Sequence, residues 1–481
     1  MSTRDLRKWL ADAEEGGDVL RVGGAHWDVE LGTIVDIFME RIGRPALLFD
    51  KIVGYPEGYR VLANVLTSTE RVATTLGMPR ETGKMDLVRK WKALYSAPRL
   101  IPPAQVSGAP VEGNIMRGPA VDLSKFPAPR WHELDGGRFL GTGCLVIMRD
   151  PETGWVNVGC YRVQYHDEKT AGIMITRGRH GDAIMRKYWA RGEACPVVVT
   201  LGQDPLLLMM AGVQIPVGIS EFDFAAGIYG QPVEVVTGEL TGLPIPATAE
   251  IALEGHIPPD QVHDEGPFGE WTGYYASPGK QQPIIAVERV LHRDNPIILG
   301  VIPGLPPNDN SYFVGLLGSG AVWDQVEKAG IPGITGVWEH EVGGGRMWLT
   351  LSIKQLFPGH AKQAGMVAAA SGMGGYANRV VVVVDEDIDP TNLEAVVWAI
   401  STRTDPREDL EVIRRCWSSP LDPMSYPSPL HNFNSRMIID ACRPWERRES
   451  FPPVAKAAPH LRAETVRKWP ELFAKIGLRQ D

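Results

Sequence analysis

No apolar run in the 481-residue chain is long enough to cross a bilayer. Residues 1–10 are polar and helical in pattern and carry no signal-peptide core. Positive charge is not in surplus either: 49 Lys and Arg face 58 Asp and Glu, a formal net charge of −9, with no long basic run. That argues against nucleic acid and against an anionic membrane surface as partners. Cysteine is scarce and odd in number. Cys144, Cys160, Cys195, Cys416 and Cys442 lie far apart, with no zinc-finger or CxxC spacing, and a reducing cytoplasm is the expected compartment. Internal repeats, low-complexity tracts, a GxSxG elbow and an HExxH pair are all missing. The run Gly343–Gly345 lacks the GKS/T ending of a phosphate-binding P-loop and reads as a hairpin turn.

What is present is turn chemistry. The 52 glycines and 39 prolines point to a mixed α and β protein with elaborate loops, and the length allows two or three domains. Residues 1–16 have the pattern of an amphipathic helix. Residues 18–100 alternate strand-like and helical runs, the mark of an α/β domain, and 97–130 are rich in proline and glycine. Between about 130 and 300, short β-rich runs follow one another closely, as in a barrel or curled antiparallel sheet. They include 143–148, 155–163, 172–176 and 196–200, with helical inserts at 182–191 and 205–211. Beyond 300 the α/β texture returns. A helix is expected at 321–329, a fully buried strand at 379–384, and a helix at 391–401 with Asp389 as its N-cap.

The densest chemistry lies in residues 264–275. Glu265 and Glu270 stand five positions apart, interrupted by Gly266, Pro267 and Gly269, which favour a folded loop over a helix. Such a loop can turn both carboxyls toward one cavity walled by Phe268, Trp271, Tyr274 and Tyr275. Apolar walls would raise one pKa while a nearby cation held the other down. A solvated turn before a strand satisfies the same pattern. Upstream, Asn157 and Arg162 share one strand-like run, yet an odd separation sends them to opposite faces unless a bulge intervenes. His180 sits in a basic, glycine-bearing loop suited to a phosphate, and Glu221 precedes a β run. Asn, His and Glu together would suit Mg²⁺ or Mn²⁺ rather than structural Zn²⁺. Taken one at a time, an N-cap, a surface histidine and a strand-end carboxylate explain them as well.

Taken in order, 265–270 (Glu-Gly-Pro-Phe-Gly-Glu), Trp155, Asn157, Arg162, His180 and Glu221 resemble the UbiD family of reversible decarboxylases, which use prenylated FMN. The resemblance extends over 352–355, 358–361, 384–390, 419–423 and 440–445. It implies an N-terminal α/β domain (1–115), a central split β-barrel that binds the flavin (116–305), and a C-terminal α/β domain with an oligomerisation tail (306–481). Residue by residue, Arg162, Glu265 and Glu270 match the catalytic set, with Glu270 as proton donor. Asn157, His180 and Glu221 match the divalent-metal ligands, Mn²⁺ or Mg²⁺, at the cofactor phosphate. Trp155, the backbone near Met210, Ala211 and Val213, and Glu221 match the K⁺ site. Gly159, Cys160, Arg179 and Gly212 fall where the family lines the flavin, and Arg379 falls at a basic phosphate-contacting position. Leu421 is expected to face the substrate.

The expected activity is therefore decarboxylation of an aromatic or heteroaromatic acid, reversible at high CO₂, with a flavin prenyltransferase supplying the cofactor. Asn308, Asp309, Asn310 and Tyr312 are expected to hydrogen-bond a substituted ring, joined by Trp338, Glu339 and His340. The texture resembles hydroxybenzoate-type members, while furan, pyrrole, indole and phthalate-derived acids stay open. A homodimer or homohexamer is expected. Two other readings are a non-catalytic cofactor-binding subunit of a decarboxylase complex and a metal-assisted hydrolase.

Overall fold

Residues 4–40, 45–213, 215–425 and 432–475 are described in a computed structural model. The chain divides into two compact units, residues 1–442 and 443–481. No helix among the described residues is long and apolar enough to cross a membrane.

The larger unit is a mixed α/β structure built on three main sheets. The first runs Val19–Gly23, Ala46–Asp50, Arg60–Ala63 and Ile297–Gly300, paired parallel, antiparallel and parallel. Its last strand comes from far along the chain, so this sheet is completed only after the central segment has been laid down. The second is a curled ten-stranded sheet. Its spine is the 13-residue strand Lys280–His292, which pairs antiparallel with Thr170–Met174, Ile251–Ile257, Val262–Glu265 and Asn114–Arg117. The third has the order Ile334–Glu339, Trp348–Ile353, Val380–Asp385, Phe433–Ala441, Leu410–Trp417. Val380–Asp385 lies between two parallel neighbours, and Val381 to Val384 are fully buried, as an unbroken valine run demands.

Two helices lock the N-terminal and C-terminal regions together. Lys84–Ser96 packs along Asp309–Lys328, and the buried Trp91 donates its indole N–H to the Leu317 carbonyl at 2.9 Å. Asp309 is buried and accepts from the Val65 and Leu66 amides at 3.2 and 2.7 Å. Burial pushes its carboxyl up to about 6, against the pull of those amides and of Arg71.

Several local expectations change. The helix expected at 321–329 begins at Asp309, because Gly315, Gly318 and Gly320 depress helix propensity while tertiary contact sustains the helix. The helix after the valine strand is Leu393–Arg403, capped by Asn392, which accepts from Ala395 N at 3.1 Å; Asp389 instead caps a turn through Thr391 N. Glu221 opens a helix, Glu221–Tyr229, that ends on Gly230 in the left-handed region. The run 155–163 is two strands, Val156–Gly159 and Arg162–Tyr165, broken at Cys160 and Tyr161. The first pairs with Cys144–Arg149 and the second with Thr170–Met174, which removes the parity conflict between Asn157 and Arg162. The smaller unit contains the helices Pro459–Lys468 and Pro470–Ala474, neither with a buried residue.

Candidate active site

The curled sheet and the C-terminal sheet share a cavity of about 510 Å³. Arg162 opens its strand at the cavity wall, and Glu265 closes the strand Val262–Glu265. The guanidinium grips Glu265 through two bonds, Nε to Oε1 at 2.6 Å and Nη2 to Oε2 at 2.8 Å. Its remaining Nη1 donates to Glu270 Oε1. One cation is therefore shared between two buried carboxyls, and it stacks 4.9 Å above the Phe268 ring. Burial raises the Glu270 pKa, opposed by Arg162 and reinforced by the charges of Glu265 and Asp135. Burial works against the Arg162 charge, yet Glu270 and Glu265 together hold its pKa above the ordinary arginine value.

The loop that carries Glu270 is fastened at several points. Gly266 has φ +76°, and its amide donates to Gln164 Oε1 at 2.9 Å. A β-carbon at Gly136 would lie 1.9 Å from the Gly266 carbonyl, so glycine is required there for the two segments to touch. The buried Asp135 accepts from Gly269 N at 3.2 Å and from the Tyr275 hydroxyl at 3.1 Å. Phe268 packs on Phe139 with centroids 4.3 Å apart. The paired carboxyls are thus held by a folded loop and are not solvated.

A second group lies along the same cavity. Asn157 donates from Nδ2 to Glu221 Oε1 at 3.1 Å, and Val158 N donates to Oε2 at 2.7 Å. Asn157 Oδ1 is buried and has no hydrogen-bond partner among the described residues. Burial pushes the Glu221 carboxyl up to about 8. His180 begins the helix His180–Trp189 and stands edge-on to Trp155, centroids 5.1 Å apart. Burial and the Arg179 charge lower its pKa, which keeps the imidazole neutral. Gly159, Cys160, Arg179, Ala211, Gly212, Val213 and Leu421 also line the cavity. The Leu421 carbonyl accepts from Thr272 Oγ1 at 3.3 Å, tying its segment to the Glu270 loop.

Other expected residues are used elsewhere. Arg379 spends its guanidinium on the buried Asp422, 2.6 Å from each carboxylate oxygen, and is not in the lining. Asn308 is the N-cap of Asp309–Lys328: its Oδ1 accepts from Ser311 N at 3.0 Å, and its Nδ2 donates to the Gly304 carbonyl. Asn310, Phe313, Val314 and Leu317 form the helical stripe that faces the cavity, and Tyr312 falls off that stripe. Trp155 donates to the Ile219 carbonyl, and Met210 is fully buried in its helix, so neither side chain reaches the lining. Trp338, on the strand Ile334–Glu339, bonds Glu341, and His340, just past its end, bonds Thr350. Glu339, between them, does line the cavity.

Sequence reasoning missed Arg346, which lies 4.8 Å over Trp271 and donates to Asn310 Oδ1 at 3.2 Å. It directly follows the triple-glycine turn at 343–345, whose pattern carries no sign of a site residue. Asp135 and Gln164 were missed as well, since nothing local distinguishes them from other polar residues.

Comparison with known proteins agrees with this architecture. Three domain models of 3-octaprenyl-4-hydroxybenzoate carboxy-lyase (UbiD) match: the N-terminal domain over residues 10–91, the Rift-related domain over 104–306 and the C-terminal domain over 311–441. A phenolic acid decarboxylase of Streptomyces sp. is 34% identical, covering 92% of this chain and 93% of its own. A pyrrole-2-carboxylic acid decarboxylase of Pseudomonas aeruginosa is 32% identical, covering 92% of each. Among solved structures, the UbiD-class enzyme HmfF of Pelotomaculum thermopropionicum in complex with FMN superposes with a TM-score of 0.85 at 29% identity, over 95% of this chain and 98% of its own. An evolved dimeric form of HmfF in complex with prFMN gives 0.82 at 28% identity, over 96% and 98%. With all three domain models matched in order and relatives aligned over nearly the full length, the chain belongs to the UbiD family of carboxy-lyases.

Proposed function

We propose that this chain catalyses the reversible, non-oxidative decarboxylation of an aromatic or heteroaromatic acid with prenylated FMN held in the cavity. The observation that carries the reading is one guanidinium, Arg162, held between two buried carboxyls at the wall of a cavity of about 510 Å³. The acids named for the relatives supply the substrate class, and the flavins named for the HmfF structures supply the cofactor.

The residues present fit such a group. Arg177 and Arg179 bring positive charge to the lining, and Asn157 Oδ1 is an acceptor in want of a partner. A flavin phosphate with a divalent cation answers both. The cation, Mn²⁺ or Mg²⁺, would take Asn157 Oδ1, the neutral His180 imidazole and the Glu221 carboxylate, whose charge burial alone disfavours. For K⁺ we assign Glu221 and the backbone at Trp155, Met210, Ala211 and Val213. The Met210 and Ala211 carbonyls each accept one amide and keep a second lone pair. Gly159, Cys160 and Gly212 would lie along the flavin.

When bound, prenylated FMN supplies the sink for the electrons left when CO₂ departs from an sp² carbon. The chain's own part is the proton. Glu270 keeps its proton to higher pH than a solvated glutamic acid and delivers it to the carbon that carried the carboxyl group. Arg162, fixed by its two bonds to Glu265, orients Glu270. Phe268 and Trp271 keep water from the cluster, which strengthens the charge interactions within it. Leu421 packs on the substrate ring, and Asn310 replaces Asn308 and Tyr312 as its polar neighbour.

No specific observation favours a scaffold subunit or a hydrolase. For the oligomer we propose a homodimer or homohexamer. Val412, 59% exposed on the edge strand Leu410–Trp417, is the apolar residue that supports self-association. The deciding experiment co-produces the protein with a flavin prenyltransferase, identifies the bound cofactor by mass and absorbance, and screens carboxylic acids for CO₂ release and H/D exchange. Bound prenylated FMN and loss of CO₂ from an aromatic acid are expected; a protein that holds no flavin refutes the reading.

A further inference from the structure

One buried side chain in the cavity has no task in the scheme above. Glu339 ends the strand Ile334–Glu339 and is 3% exposed, yet it belongs to the cavity lining. No hydrogen bond or ion pair reaches its carboxyl among the described residues; Arg346 acts on it only as a nearby charge. Its backbone, by contrast, is firmly placed. Glu339 N donates to Ser319 Oγ at 2.8 Å, and Ser319 Oγ donates to the Gly315 carbonyl at 2.6 Å. The helix beneath has been cleared for the side chain: a β-carbon at Gly318 would sit 1.9 Å from Glu339 Oε2. Any residue other than glycine at 318 would displace the carboxyl.

A buried carboxyl without a partner costs stability even when neutral. A site keeps such a group when a ligand supplies the missing partner. The position narrows which ligand. Glu339 belongs to the C-terminal sheet, whereas Asn157, His180 and Glu221 belong to the curled sheet and its helices. Arg346, whose charge acts on Glu339, stacks on Trp271, the residue next to Glu270. The carboxyl is thus linked, through the charge of Arg346 and its stacking on Trp271, to the end of the cavity where the proton is delivered.

We infer that Glu339 is a specificity-determining residue that accepts a hydrogen bond from a donor on the substrate ring, either the N–H of a pyrrole-type heterocycle or a phenolic O–H. The inference rests on the decarboxylase reading and deepens it: the substrate class becomes aromatic acids that carry a ring donor. An acceptor lost from one side leaves the other side's polar group unpaired, so the preference should be large. Burial raises the Glu339 pKa well above the ordinary value, so a neutral acceptor of the same shape should substitute for it.

The test uses the cofactor-loaded full chain and two matched pairs of ligands: pyrrole-2-carboxylate against furan-2-carboxylate, and 4-hydroxybenzoate against 4-methylbenzoate. Binding is read by calorimetry, turnover by CO₂ release, and flavin content by absorbance. The wild type should favour the donor-bearing member of at least one pair by about tenfold or more in Kd. The responding pair tells N–H from O–H recognition. Glu339→Leu should bring that ratio to within about twofold at unchanged flavin content, while Glu339→Gln should preserve most of it. Gly318→Ala, which leaves Glu339 in the chain but moves its carboxyl, should also lower the ratio. A wild type that shows no preference in either pair overturns the inference. So does a preference that survives Glu339→Leu, or a Glu339→Leu protein that loses flavin with its ratio intact, since Glu339 would then face the cofactor. Binding preference without turnover of any acid would instead refute the decarboxylase reading and leave the recognition role standing.

Discussion

Replacing Glu265 by Gln should shift the pH at which the enzyme loses activity. Gln keeps the shape and still accepts one bond from Arg162, but it removes one of the two negative charges that share the guanidinium. In the wild type the Glu265 charge raises the Glu270 pKa and Arg162 lowers it. Without Glu265, the cation serves Glu270 alone, and the Glu270 pKa must fall. Carboxylates on two edges of one guanidinium lie about 6 Å apart, so at an effective dielectric of about 20 their repulsion is roughly 3 kcal/mol, or about two pKa units. Partial relaxation and water entry would leave about one unit of that. Because the protonated form of Glu270 is the active one, the alkaline limb of kcat/KM should move down by about one to two units, with activity retained toward acid pH. The assay is CO₂ release, or H/D exchange into product, across a pH series. An alkaline limb that stays in place, or moves up, would show that Glu270 does not feel Glu265 through Arg162, and the shared-cation account of the site would fail.

Glu270→Gln should reduce turnover by at least about a hundredfold while leaving flavin content near wild type; retained activity would remove Glu270 as proton donor. Glu221→Ala should lower both bound flavin and bound Mn²⁺, measured by absorbance and elemental analysis; full retention of both would remove Glu221 as a ligand. Arg379→Met leaves the Asp422 carboxylate buried without its cation, so denaturant melts should show a loss of about 3–5 kcal/mol, with flavin content per folded molecule unchanged; loss of flavin from a stably folded variant would return Arg379 to the phosphate. Asn308→Ala removes a helix cap and should cost about 1 kcal/mol without altering kcat; a drop in kcat would restore Asn308 as a substrate contact.

Which residues could be read from the chain depended on how far their roles reach along it. The valine strand declares itself through a pattern contained in one window: it is expected at 379–384 and forms at Val380–Asp385. Glu265, Gly266, Pro267 and Glu270 likewise announce a folded loop, since glycine and proline act locally. The failures are places where tertiary packing overrides a local rule. Three glycines hid the first half of Asp309–Lys328 because they disfavour a helix in isolation. In the folded chain they admit Trp91 at Gly320, the Glu339 backbone at Gly315 and its carboxyl at Gly318. The same hidden stretch carries the expected substrate contacts Asn308 and Tyr312. A loop would present Asn308 and Tyr312 to a ligand, but a helix makes Asn308 a cap and turns Tyr312 off the stripe that Asn310 and Phe313 share. Arg379 is drawn to another partner for a different reason. Its partner Asp422 lies 43 positions away, and only the fold reveals that the cation is already neutralised. Close-packed glycine in a helix is therefore the informative signal here. Where a helix tolerates it against propensity, something on the facing element needs the room, and at Gly318 that something is a carboxyl group pointed into the cavity.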